Sequence, residues 1–84
     1  MTRRALVADD SRMMTEYLKS ILQRLGYAQI DVVGGGRQAV SLLAAGRYDL
    51  VVLDQNMPEM SGLDVVRDLK YSRLAAGAAI MIVT

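Results

Sequence analysis

The chain has no cysteine, no histidine, no tryptophan, no phenylalanine and only one proline, Pro58. Without cysteine there is neither a disulfide nor a thiolate metal site. Without histidine, Ser-His triads, imidazole-bound zinc and a phosphohistidine formed within this chain are all excluded. Any chemistry must therefore run on carboxylates, hydroxyls and a hard metal ion. Aromatics amount to four tyrosines, so the 52% hydrophobic content rests on Ala, Val, Leu and Met. No apolar run nears the ~20 residues that span a bilayer. The opening MTRRALVADD turns acidic too early for a secretory signal, so a cytoplasmic location is expected. A net charge of +1, with no basic stretch longer than Arg3-Arg4, argues against a direct nucleic-acid partner. Eighty-four residues allow one domain, 1–84, with a thin core.

Short apolar runs alternate with stretches of helical period. Ala5–Ala8 is a brief run that ends in Asp9-Asp10. From Ser11 to Leu25, apolar residues at Met14, Leu18, Ile21, Leu22 and Leu25 trace one helical face. Ser11 is placed to cap that helix and Gly26 to stop it. Ile30–Val33 reads as a strand closed by Gly34-Gly35-Gly36, and 37–45 as a helix with Ala39, Val40 and Leu43 inward, ending at Gly46. A strand over Asp49–Leu53, the loop DQNMPEMSG, and a helix over Leu63–Tyr71 with Leu63, Val66, Leu69 and Lys70 on adjoining faces follow. AAIMIVT closes the sequence as a further buried strand. Strand and helix in strict alternation imply an α/β fold with a parallel sheet covered on both faces.

LVVLD, residues 50–54, sets a carboxylate at the end of the most hydrophobic segment, where a lone buried charge is costly. In doubly wound sheets, ligands bind outside the carboxyl ends of the strands. The flavodoxin-like order 2-1-3-4 makes the first and third strands neighbours, about 4.8 Å apart. Asp9, Asp10 and Asp54 then converge, and their mutual repulsion is relieved by a divalent hard cation, Mg2+. Thr84 ends the fourth strand nearby. The triple glycine has no following Lys-Ser/Thr, so it is not a nucleotide loop. The six methionines read as core filling, although Met13, Met14, Met57 and Met60 crowd the site's rim.

VADDSRMM at 7–14, VVLDQNMPEMSGLDVV at 51–66 and IMIVT at 80–84 together resemble the receiver domain of two-component response regulators, the single-domain chemotaxis regulators most of all. The resemblance implies that Asp54 takes a phosphoryl group from a phosphohistidine on a histidine kinase or phosphotransfer protein. It implies that Asp10 and Asp54 ligate Mg2+, that Asn56 adds its backbone carbonyl, and that Asp9 holds a metal-bound water. Thr84 would give its hydroxyl to a phosphoryl oxygen and so switch binding of a downstream target. Pro58 and Gly62 would shape the loop.

The sequence departs from that pattern in two places. Gly35 stands where receivers carry a polar cap for the second helix. A complete receiver has five strands and five helices over about 120 residues, so 1–84 is expected to be incomplete at its C-terminus, without the last strand and the last two helices. The family's lysine has no counterpart, because Lys19 and Lys70 fall on helices. Phosphorylation of this chain is then expected to be impaired. The 79–84 strand is expected to be an exposed edge that favours a homo-oligomer. Rival readings are a phosphorylation-independent interaction module with this fold, a hydrolase using an aspartyl phosphate, and an oligomerising fragment without activity. Asn56, where such hydrolases need an acid, opposes the second.

Overall fold

The computed structural model describes residues 2–72 and 77–83. The elements run β1 (Arg3–Ala8), α1 (Arg12–Arg24), β2 (Tyr27–Val33), α2 (Gly36–Ala45), β3 (Leu50–Asp54), α3 (Gly62–Ser72) and β4 (Ala79–Val83). The four strands form one sheet in the order β2-β1-β3-β4, and every pair is parallel. This is the expected flavodoxin-like α/β architecture.

Two apolar layers flank the sheet. On one face Leu6, Ala8, Val51 and Leu53 pack against Ala39 and Leu43 of α2 and Val65 and Leu69 of α3. On the other face Ala5, Val7 and Val52 meet Leu22 of α1. Residues 5–8 and 51–53 are buried on both sides, which is why these strands lack polar alternation.

Several boundaries and faces differ from the sequence expectation. β1 starts at Arg3 rather than Ala5, and β2 at Tyr27 rather than Ile30. Strand pairing extends both through polar residues that an apolar run does not reveal. On α1 the buried positions are Thr15 and Leu22, whereas Met14 and Leu25 are exposed. Leu25 lies at the C-cap, beyond the sheet, where Gly26 turns the chain away at φ 97. On α3 the inward pair is Val65 and Leu69, one helical turn apart, while Leu63 faces solvent. β4 is not a buried strand: Ile80 is 40% and Met81 54% exposed. It has a partner on the β3 side alone among the described residues, and on the α1 side Val83, at its end, packs partly buried against the apolar layer.

Candidate functional site

β1 and β3 run side by side, with Ala8 opposite Leu53. The next residue of each strand is an aspartate, so the register itself brings Asp9 and Asp54 together. Carboxylate oxygens of Asp9, Asp10 and Asp54 all lie within 4.8 Å of one another. The sequence expectation for these three residues is met. Asp9 is buried, Asp54 half-buried and Asp10 exposed, so the cluster opens to solvent through Asp10.

Local hydrogen bonds fix the two sides of this crevice. The Asp9 amide donates to the Val33 carbonyl at 3.1 Å, tying the end of β1 to the end of β2. The Asp9 carboxylate accepts from the Ser11 amide at 2.8 Å. Ser11 then caps α1, its Oγ accepting from the Met14 amide at 3.3 Å, as its position in the sequence suggests. Across the crevice, Asp54 Oδ1 accepts from the Asn56 amide at 3.3 Å. Gln55 donates its amide to the Val83 carbonyl at 3.0 Å, so β4 anchors the loop that follows Asp54.

Burial pushes the Asp9 carboxyl above its ordinary 3.8, the Ser11 N–H pulls it back, and the charges of Asp54 and Asp10 raise it further. Two like charges roughly 5 Å apart repel by about 3 kcal/mol at an effective dielectric of 20. A pocket of three such groups is relieved by a cation or by a proton, and its donors are all hard oxygens.

Asn56 is exposed and stands at the start of the loop beside Asp54. Gly62 is buried where the loop returns: a Cβ there would lie 2.9 Å from the Asp54 carbonyl and 3.3 Å from Gln55 Cα. The glycine is therefore needed for space rather than for an unusual dihedral. Met57 and Met60 pack partly buried against the core, and Met13 is exposed, so only some of the rim methionines fill the interior. Thr84 lies outside the described residues.

Two features of the site escaped the sequence reading. Ser61 and Asp64 form a reciprocal cap at the start of α3: Ser61 Oγ accepts from the Asp64 amide at 3.2 Å and Asp64 Oδ2 from the Ser61 amide at 3.1 Å. The signal was the S-x-x-D spacing in SGLD. Those bonds from Ser61, with Arg67 adding a little, hold the Asp64 carboxyl below its ordinary value. The second is an ion pair, Arg37 Nε to Glu59 Oε2 at 2.9 Å, between α2 and the loop after Asp54. No local spacing announces it.

The family model for the response regulator receiver domain matches residues 5–84. Response regulator MprA of Mycolicibacterium vanbaalenii is 43% identical over 70 residues, covering 83% of this chain and 30% of that protein. Chemotaxis protein CheY of Thermotoga maritima is 35% identical over 69 residues, covering 82% of this chain and 58% of that protein. The chain thus spans about a third to somewhat over half of these two relatives. Among solved structures, response regulator protein TrrA from Thermotoga maritima in complex with Mg(2+)-BeF superposes with a TM-score of 0.86 at 38% identity, over 96% of this chain and 68% of that one. TrrA in complex with histidine kinase ThkA gives a TM-score of 0.85, again at 38% identity, over 99% and 69%. With its acid crevice, strand order and matched residues in agreement, this chain belongs to the response regulator receiver domain family of two-component signalling.

Proposed function

We propose that Asp54 accepts a phosphoryl group from a phosphohistidine on a histidine kinase or phosphotransfer protein, and that the acid cluster binds Mg2+ as it does so. The observation that carries this reading is the meeting of Asp9, Asp10 and Asp54 within 4.8 Å at the carboxyl ends of two adjacent strands. The all-oxygen donor set suits Mg2+. Asp10 and Asp54 would hold the ion directly, Asn56 through its backbone carbonyl and Asp9 through a bound water. Once bound, the ion supplies positive charge that offsets the carboxylates and the phosphoryl oxygens.

The chain's own part is nucleophilic. An Asp54 oxygen attacks phosphorus in line, forming an O–P bond as the P–N bond breaks. The donor imidazole nitrogen keeps the electron pair and takes up a proton. Thr84 follows Val83 directly, and its hydroxyl would contact a phosphoryl oxygen and bias the switch toward binding a downstream target. The module is regulatory: it is itself the acceptor, and Asn56 offers no general acid to drive repeated turnover.

TrrA, solved with a histidine kinase, supports a kinase partner. No helix among the described residues is long and apolar enough to cross a membrane, and a cytoplasmic setting is part of the proposed reading. Residues 1–84 would form part of a single receiver domain. The open edge of β4 would pair with a second copy of the chain.

Calorimetric titration with Mg2+, followed by a small phosphodonor, tests the assignment. The expected result is Mg2+ binding and a hydroxylamine-sensitive acyl phosphate. Asp54→Asn should abolish the label. Equal labelling of Asp54→Asn would show that another group is the nucleophile.

A further inference from the structure

The loop between Asp54 and α3 is firmly held at both ends. Gln55 donates its amide to Val83 at 3.0 Å, Gly62 donates to the Gln55 carbonyl at 3.2 Å, and Leu63 donates to Gln55 Oε1 at 3.0 Å. Its middle is a tight turn, in which the Met60 amide reaches back two residues to the Pro58 carbonyl at 2.8 Å. Glu59, at the centre of that turn, has φ 70, the single positive value at a non-glycine among the described residues. An i to i+2 hydrogen bond across a positive φ is the strained form of the γ-turn, and a Cβ makes it costlier.

The Glu59 carboxylate is paired with Arg37, the second residue of α2, at 2.9 Å. Arg37 is poorly placed for the helix itself, since a cation in the first turn opposes the helix dipole and no acid accompanies it there. Gly36 brings α2 against this turn: a Cβ on it would lie 2.7 Å from Met60 Cβ and 2.8 Å from Val65 Cγ2. An unfavourable turn and an unfavourable helix start thus meet in one ion pair, three residues along the chain from Asn56.

We propose that Arg37 is a positioning residue for the acid pocket. Its ion pair with Glu59 holds the strained turn, and the turn fixes the peptide at Asn56 beside Asp54. The inference rests on the Mg2+ reading above, in which the Asn56 carbonyl completes the metal site. Both side chains are largely exposed, 76% and 67%, so the contribution is that of a surface pair and its effect on affinity is modest.

Two readouts on the full chain decide it. In calorimetric Mg2+ titrations, Arg37→Ala and Glu59→Ala should each weaken binding by about two- to fivefold. The sign is diagnostic, because simple electrostatics makes removal of a nearby cation tighten Mg2+ binding. Glu59→Gly should bind like the parent, since glycine accepts φ 70 without the clamp. The charge exchange Arg37→Glu with Glu59→Arg should restore affinity. Without metal, amide hydrogen exchange over 56–60 should accelerate in Arg37→Ala at an almost unchanged melting temperature. Unchanged or tighter Mg2+ binding by Arg37→Ala, or unaltered exchange, overturns the positioning role while leaving the metal site intact. A parent chain that binds no Mg2+ overturns the metal reading, and this inference with it.

Discussion

Tyr48 shows how one residue can carry stability far from the acids in the sequence. Its ring is buried in the core layer beside α2 and α3, and its hydroxyl donates to Asp31 Oδ2 at 2.5 Å. The Arg4 guanidinium lies 4.8 Å from the ring centroid and 3.5 Å from the same Asp31 carboxylate oxygen. Arg4 also donates its backbone amide to the Asp49 carboxylate, so polar residues of β1, β2 and the segment just before β3 share this cluster. Burial first, then the bond to Asp31 and its charge, push the Tyr48 phenol from 10.0 up to about 12. Between pH 10 and 12 the unfolded chain loses this proton while the folded chain keeps it, so stability falls as pH rises through that window. Two units correspond to about 2–3 kcal/mol. Urea titrations at the two ends of the window should show this loss in the parent, and Tyr48→Phe should lack it while losing about 1 kcal/mol at neutral pH. The residue-level signals in the sequence were uneven. Asp9, Asp10 and Asp54 announced themselves by ending apolar runs. Asp31 and Arg4 did not, because each is an ordinary polar residue until Tyr48 is folded against it.

At the scale of elements, the helix starts differ in how their first amides are satisfied. Ser11 caps α1 through its side chain, as the sequence suggested. α2 has Gly35 at its N-cap and no side-chain cap, again as expected, while Gln38 accepts from the Gly34 amide just ahead of the helix at 3.2 Å. α3 has the reciprocal Ser61–Asp64 cap at the return of the loop from Asp54. Ser61→Ala should cost about 1 kcal/mol in chemical denaturation, and Ser61→Asp should recover most of it. An unchanged denaturation midpoint for Ser61→Ala would mean that water satisfies those amides equally well. Helices and strands were legible because the 3.6-residue period and the doubly apolar runs are local properties. Their ends were less so: β1 and β2 extend through Arg3-Arg4 and Tyr27–Gln29, where pairing with a neighbour, not hydropathy, sets the limit.

Across the whole molecule, the sheet is covered unevenly. Central strands β1 and β3 have neighbours on both sides and helices on both faces. β4 has one neighbour among the described residues, and Ile80 and Met81 stand exposed on its two faces. Unpaired backbone beside exposed apolar side chains favours addition of a further strand. Sedimentation at micromolar concentration is therefore expected to show a species larger than the monomer. A well-folded monomer under those conditions would remove the proposed pairing of β4 edges.

The sequence by itself determined the alternation of elements, the parallel α/β class and the placing of an acid at the end of each of two apolar strands. These follow from local pattern, since burial on both faces demands unbroken apolar runs and a charge must sit where such a run leaves the core. Tertiary structure alone decided that Ala8 stands opposite Leu53, which turns two separate strand ends into one pocket. It also joined Arg37 to Glu59 and Tyr48 to Asp31. Contacts between distant residues depend on how the strands are ordered and registered, and no window of sequence contains that information.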